Sequence, residues 1–172
     1  QLGDGSTTNS PVPVAVSGLG SGVRAIAAGS SHTCALTSAG AVKCWGNNYY
    51  GQLGDGSTTR SLVPVAVSGL DGGVIAIAAD DSHTCAHTST GAQCWGENFD
   101  GKLGDGSTTN SPVPVAVSGL DSGVVAIDAG RYHTCVLTSA GGAQCWGDNS
   151  HGQLGDGSTT VRYAPVPVTN FP

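Results

Sequence analysis

An all-β fold built from β-propeller blades, each of four antiparallel strands, is what this 172-residue sequence predicts, on three observations. The first is repetition. Leu-Gly-Asp-Gly-Ser-Thr-Thr begins at Leu2, Leu53, Leu103 and Leu154, at intervals of 51, 50 and 51 residues. Residues 2–19 and 103–120 are identical at all 18 positions, and residues 53–70 differ from them only at Arg60 and Leu62. The second is a set of short apolar or alternating runs separated by Gly-rich connections, about four per repeat, which is the signature of a propeller blade. The third is the lack of any i, i+3, i+4 apolar stripe: Gly and Pro interrupt every candidate helix, which excludes helix throughout. The chain holds about 3.4 copies, a partial or open propeller.

Within the first repeat, Pro11–Val16 alternates, with Val12, Val14 and Val16 on one face, and is predicted as the first strand of its blade. Val23–Ala28 is small and apolar and reads as a strand buried on both sides. His32–Thr37 places His32, Cys34 and Leu36 on one face, and Val42–Trp45 follows after a short turn. On this reading residues 1–172 are one propeller segment. Blade one spans about 11–51, blade two about 62–101 and blade three about 112–152, and 163–172 begin a fourth. A propeller that stops there has unpaired ends, so the segment is expected to belong to a longer propeller or to an arc whose ends a partner covers. Two copies would supply about seven blades' worth of residues, but each junction would then hold a surplus Pro-Val-Pro-Val strand.

The order PVPV … AIAAGSSHTCALTSAGAVKCWGNNYYGQLGDGS resembles the regulator-of-chromosome-condensation repeat. The blades of that family carry a Gly-x-x-His strand entry, a Trp-Gly exit and a Gly-Gln-Leu-Gly loop. Asp80 departs from the glycine before His83, and Lys102 replaces the glutamine before Leu103. The resemblance implies a seven-bladed ring. It implies no single activity, because one fold hosts many functions.

Each repeat carries two cysteines, Cys34/Cys44, Cys85/Cys94 and Cys135/Cys145. With Cys34 opposite Cys44, Leu36 faces Val42 and Ser38–Gly40 form the turn. In the second repeat the loop is one residue shorter, yet a two-residue turn at Ser89 and Thr90 still sets Cys85 opposite Cys94. A spacing that varies while the pairing survives is what cross-strand disulfides produce. Reduced structural cysteines are the alternative, and a Cys₂His metal site fits worse still, since zinc takes four ligands and closer cysteine spacing. Disulfides imply an oxidising compartment: periplasm, cell surface or medium. The absence of any Asn-x-Ser/Thr acceptor fits a bacterial source.

Twelve acidic against six basic residues give a net charge of −6, which disfavours sequence-independent nucleic-acid binding. No apolar run approaches the roughly 20 residues of a membrane-spanning helix. Trp45, Trp95 and Trp146 recur in register and are expected to pack between blades, and His32, His83 and His133 to be buried and satisfied by backbone. The Asp-Gly pairs at Asp4, Asp55, Asp105 and Asp156 are too few in oxygens for calcium and suit turns. Identical residues in every blade do not make an active site; His87 and His151 are the other reactive side chains besides the acids, and no Ser or Cys sits in a nucleophile-elbow setting. No enzyme activity, cofactor or metal is expected.

Differences between repeats are more informative. Two connections vary, and in an up-and-down blade both emerge on one rim. One carries Ser30-Ser31, Asp80-Asp81-Ser82 or Arg131-Tyr132; the other runs from Asn47 to Tyr50, Glu97 to Asp100 or Asp148 to His151. Four of the six Tyr and Phe residues fall there: Tyr49, Tyr50, Phe99 and Tyr132. With Asp80, Asp81, Asp100, Arg131, Ser150 and His151 they form the candidate binding surface, since variable aromatic loops on a rigid scaffold are how binding faces are built. The expected function is an exported, non-enzymatic protein-binding or scaffold module. The alternative is a structural array in which near-identical blades assemble an extracellular coat.

Overall fold

The computed structural model describes residues 2–169 and contains twelve strands in three four-stranded antiparallel sheets. The first sheet is β1 (Val23–Ala28), β2 (His32–Thr37), β3 (Val42–Gly46) and β4 (Ser61–Ala66). The second is β5 (Val74–Asp80), β6 (His83–Thr88), β7 (Gly91–Gly96) and β8 (Ser111–Ala116). The third is β9 (Val124–Ala129), β10 (His133–Thr138), β11 (Ala143–Gly147) and β12 (Arg162–Pro167). In each, strand order follows sequence order. The innermost strands adjoin, β1 with β5 and β5 with β9. Among the described residues there is no helix, hence none long and apolar enough to cross a membrane.

The blade phase differs from the one expected. Residues 11–16 form no strand, and the Pro-Val segments close the blade before them rather than opening the next. Cys44 pairs with Val65, Cys94 with Val115 and Cys145 with Val166. The blades therefore group as Val23–Ala66, Val74–Ala116 and Val124–Pro167, and the segment from 163 completes the third instead of starting a fourth; residues 170–172 lie outside the described residues. Proline supplies the reason. Pro64, Pro112, Pro114, Pro165 and Pro167 lack an N–H, so these segments can serve only as outer edge strands. Nor is the Val-rich inner strand buried on both sides: Ile75 is 42 % and Val125 58 % exposed, because it is the opposite edge of its sheet.

The hairpin register is as the sequence predicts. Cys34 lies opposite Cys44, Cys85 opposite Cys94 and Cys135 opposite Cys145, and all three pairs are disulfide-bonded with Cα atoms 4.1 Å apart. That separation is the close one of a non-hydrogen-bonded antiparallel pair. Non-reducing peptide mapping should recover these three pairs and no other. Replacing Cys85 and Cys94 together by alanine should lower stability by about 2–3 kcal/mol in urea unfolding.

The core lies between blades. Trp95 is fully buried against Cys34, Leu36, Val42 and Cys44 of the first sheet, with Leu53, Val67 and Leu70 completing the cluster. Trp146 does the same between the second and third sheets. The Leu-Gly-Asp-Gly loop makes room for the indole. Gly54 and Gly104 have φ near +71°, and a Cβ there would meet the Trp95 or Trp146 Nε1 at 2.7 or 2.5 Å, so both the conformation and the space demand glycine.

Each seam is fastened by one polar node. Trp95 Nε1 and Thr84 Oγ1 both donate to the Gln52 carbonyl, each at 3.0 Å. With its proton committed there, Thr84 Oγ1 accepts from His32 Nε2–H at 2.8 Å across the blade boundary. Lys102 O, Thr134, Trp146 and His83 repeat the arrangement at the next seam. The Nε2 of each of these histidines thus meets a neighbouring threonine rather than the backbone expected, while Nδ1 of both is buried without a hydrogen bond. Burial lowers the pKa of His32 to about 4 and that of His83 to about 3.

A depressed folded-state pKa means that the unfolded chain binds protons first. Stability is therefore full above about pH 6.5 and falls as the pH drops toward about 4 for His32 and about 3 for His83. In that window each imidazole should cost roughly 1.4 kcal/mol per pH unit. Urea midpoints between pH 7 and 5 measure the slope, which His83→Gln should make shallower; an unchanged slope would contradict the buried neutral imidazole.

Candidate functional site

The β1–β2 and β3–β4 connections of each blade emerge on one rim because β1 runs toward it and β2 away, β3 toward and β4 away. They are tied together there by backbone. Asn47 N donates to Ser31 O at 2.8 Å, Glu97 N to Ser82 O at 3.0 Å and Asp148 N to Tyr132 O at 2.8 Å. The short turns at Ser38–Gly40, Ser89–Thr90 and residues 139–142 lie on the opposite rim.

Two groups of expected site residues come together. In the first, Tyr49 meets Tyr50 edge-on at 4.9 Å, and Tyr50 meets Phe99 of the next blade at 5.6 Å. The row crosses a blade boundary, with Tyr49 75 % and Phe99 59 % exposed. Asp100 is half-buried beside Phe99. In the second group, Arg131 faces Asp81 across the other boundary at 3.8 Å, and Asp81 Oδ1 also accepts from Ser30 Oγ at 2.9 Å. Asp81 takes a left-handed φ of 33°, and its N–H is held by Asp80 Oδ1 at 2.7 Å. The Arg131 guanidinium stands 5.0 Å and the Lys102 ammonium 5.5 Å from the Tyr132 ring centre.

Ser150 and His151 form a local pair on blade three. Ser150 Oγ donates to Asp148 Oδ2 at 2.9 Å and so accepts from His151 Nδ1–H at 3.0 Å. Burial opposes ionisation of Asp148, but the hydrogen bonds from Ser150 and Gln153 outweigh it and hold the carboxyl below its ordinary range. His87, by contrast, lies opposite Ala92 near the far rim, buried, with its pKa lowered by burial.

Two supports of the rim escape a reading of the variable residues alone. One is a buried asparagine, Asn48, Asn98 or Asn149, three residues after each tryptophan. Asn48 Nδ2 donates to Asp55 Oδ1, Ser57 O and Thr59 O at 3.1–3.2 Å, while its Oδ1 accepts from Leu53 N at 2.9 Å. Asp55 is thereby committed to Asn48 and to Ser57. The regular recurrence of this asparagine was the signal available. The other support is the residue before each Leu-Gly-Asp-Gly. Gln52 reaches Asn47 and Gln153 reaches Asp148, whereas the fully buried Lys102 pairs with Glu97 and donates to Arg131 O at 3.3 Å. The lysine at 102 is thus matched by a carboxylate five residues before it.

The regulator of chromosome condensation (RCC1) repeat model matches residues 1–36, 39–87, 94–137 and 141–172, and a second model of the same repeat matches 23–52 and 124–153. Human E3 ubiquitin-protein ligase HERC2 is 36 % identical over 167 residues, 96 % of this chain and 2 % of that protein. The ultraviolet-B receptor UVR8 of Arabidopsis thaliana is 37 % identical over 94 residues, 54 % of this chain and 21 % of the receptor. Among solved structures, yeast RCC1 (Prp20) bound to Kap60 superimposes with a TM-score of 0.76 at 21 % identity, over 87 % of this chain and 37 % of that one. Human WBSCR16 does so with 0.74 at 26 %, over 84 % and 37 %. The chain spans only a small part of each of these proteins, but it does so with the repeat intact throughout, and it belongs to the RCC1 repeat family.

Proposed function

We propose that this segment is a protein-interaction module that acts by binding rather than catalysis, and that the rim of variable loops is its binding face. The observation that carries this reading is the aromatic row Tyr49–Tyr50–Phe99, held in contact across a blade boundary while its ends stay exposed. Large aromatics on the surface of a rigid scaffold are the residues that anchor protein partners. The row is flanked by the Asp81–Arg131–Tyr132 cluster, which adds orientable charge. A net charge of −6 favours a protein partner over nucleic acid. Yeast RCC1, of similar fold, was crystallised bound to Kap60, which is consistent with a propeller of this type serving as a docking platform. Three hairpin disulfides support an exported setting, where such bonds persist.

Replacing Tyr49, Tyr50, Phe99 and Tyr132 together by serine should abolish partner capture in a pull-down from the native source, with the far-ultraviolet circular dichroism spectrum unchanged. Capture equal to that of the unaltered chain would contradict the proposal.

A further inference from the structure

The two blade boundaries of the rim, both inside the chain, are built from the same chemistry, but only one of them carries a cation of its own. At the boundary of blades two and three the Arg131 guanidinium stands 5.0 Å from the centre of the Tyr132 ring, and its Nε lies 3.8 Å from Asp81 Oδ2. A cation thus rests on an aromatic face while a carboxylate looks at it. Guanidinium suits such a seat, because its flat, weakly hydrated charge is attracted by a ring face and paired by carboxylate oxygens.

At the boundary of blades one and two the aromatic part is larger, and no cation of the described residues sits on it. The ring centres of Tyr49, Tyr50 and Phe99, 4.9 and 5.6 Å apart, leave no cage between them. Their free surface is the outer one, where Tyr49 and Phe99 are exposed. Asp100 follows Phe99, and among the described residues its carboxylate has neither a hydrogen bond nor an ion pair. Glu97 N donates to Ser82 O at 3.0 Å, which ties the Asp80–Asp81 turn to the loop that carries Phe99. Charge along the rim has one sign. Lys102 is committed to Glu97, Arg162 to Asp156, and Arg131 faces Asp81. That leaves Arg60 against Asp55, Asp80, Asp100, Asp105, Asp128 and Asp148. The hairpin turns of the opposite rim, Ser38–Gly40, Ser89–Thr90 and 139–142, carry no charge.

We propose, on the reading that this rim is the binding face, that its partner is a protein with an exposed basic segment. An arginine or lysine of that segment rests on the Tyr50–Phe99 row beside Asp100, as Arg131 rests on Tyr132 beside Asp81. Complementarity selects this occupant. The row supplies ring faces and apolar contact, and the acidic surplus around it draws a cationic partner and repels an acidic one.

Fluorescence anisotropy of the 172-residue chain with labelled peptides tests this, with four Gly-Arg-Ser repeats as the basic probe and four Gly-Glu-Ser repeats as its acidic counterpart. The basic peptide should bind, more weakly as salt is added, and the acidic one should not. Asp100→Asn should weaken the basic peptide about threefold and Phe99→Ser about fivefold. Asp100 has no partner to lose within the described residues, so its variant should keep the thermal midpoint. Asp71→Asn with Asp121→Asn, on the opposite rim, should leave binding unchanged. No binding of the basic peptide, or equal weakening by the opposite-rim pair, overturns the proposal. Capture of the native partner separates this failure from failure of the binding face itself. Capture abolished by the four aromatic replacements, yet indifferent to Asp100→Asn and to salt, overturns the basic partner and keeps the rim. Capture that survives the aromatic replacements overturns both.

Discussion

Trp95→Ala should destabilise the chain by about 3–5 kcal/mol, more than any surface change and more than loss of one hairpin disulfide. The indole is fully buried between blades one and two, in contact with a cluster that both sheets contribute to. Its removal leaves a cavity that rigid neighbouring sheets cannot collapse to fill. It also removes one of the two donors to the Gln52 carbonyl, leaving only Thr84. Trp95→Phe restores most of the volume but not the N–H and should cost about 1–2 kcal/mol less than the alanine variant. Urea unfolding followed by circular dichroism separates the three proteins; a Trp95→Ala midpoint equal to the wild type would show that the seam is not held by the wedge.

Lys102→Ala should cost about 3–5 kcal/mol, because it leaves the Glu97 carboxylate unpaired in a site from which water is largely excluded. Lys102 is fully buried and Glu97 only 13 % exposed. Lys102→Gln should cost far less, since Gln153 already satisfies Asp148 and Gln52 satisfies Asn47 in the same geometry. The effect should also survive high salt, as buried pairs are screened little. Equal losses for the alanine and glutamine variants would mean that packing of the side chain, not its pairing, is what counts.

Repetition made most of the fold legible. Three copies of His-Thr-Cys and Cys-Trp-Gly place β2 and β3 within a residue, and the altered loop length in the second repeat fixes the cysteine register independently of the first. The blade phase was harder, because a strand pattern states which residues pair but not with which neighbour. Pro64, Pro112 and Pro114 held the answer: a strand short of N–H groups belongs at an outer edge, which sends it to the preceding repeat. His32 and His83 were legible as buried, whereas His133 is only half-buried; their partner was not legible, since Thr84 is 52 residues from His32 and meets it only across a seam.

At the rim, variability pointed to Tyr50 and Phe99, and they do touch. It also pointed to Ser150 and His151, whose contacts are local to blade three. It passed over Asn48, Asn98 and Asn149, which brace the β3–β4 loop of each blade, because they do not vary.

Cross-linking mass spectrometry of the chain with a partner captured from its native source tests the rim most directly. The account predicts that cross-links and protected residues fall on 47–51, 80–82, 97–101, 130–132 and 148–152, the variable connections that share one rim. A footprint on the opposite rim instead, at the turns Ser38–Gly40, Ser89–Thr90 and 139–142, would contradict it.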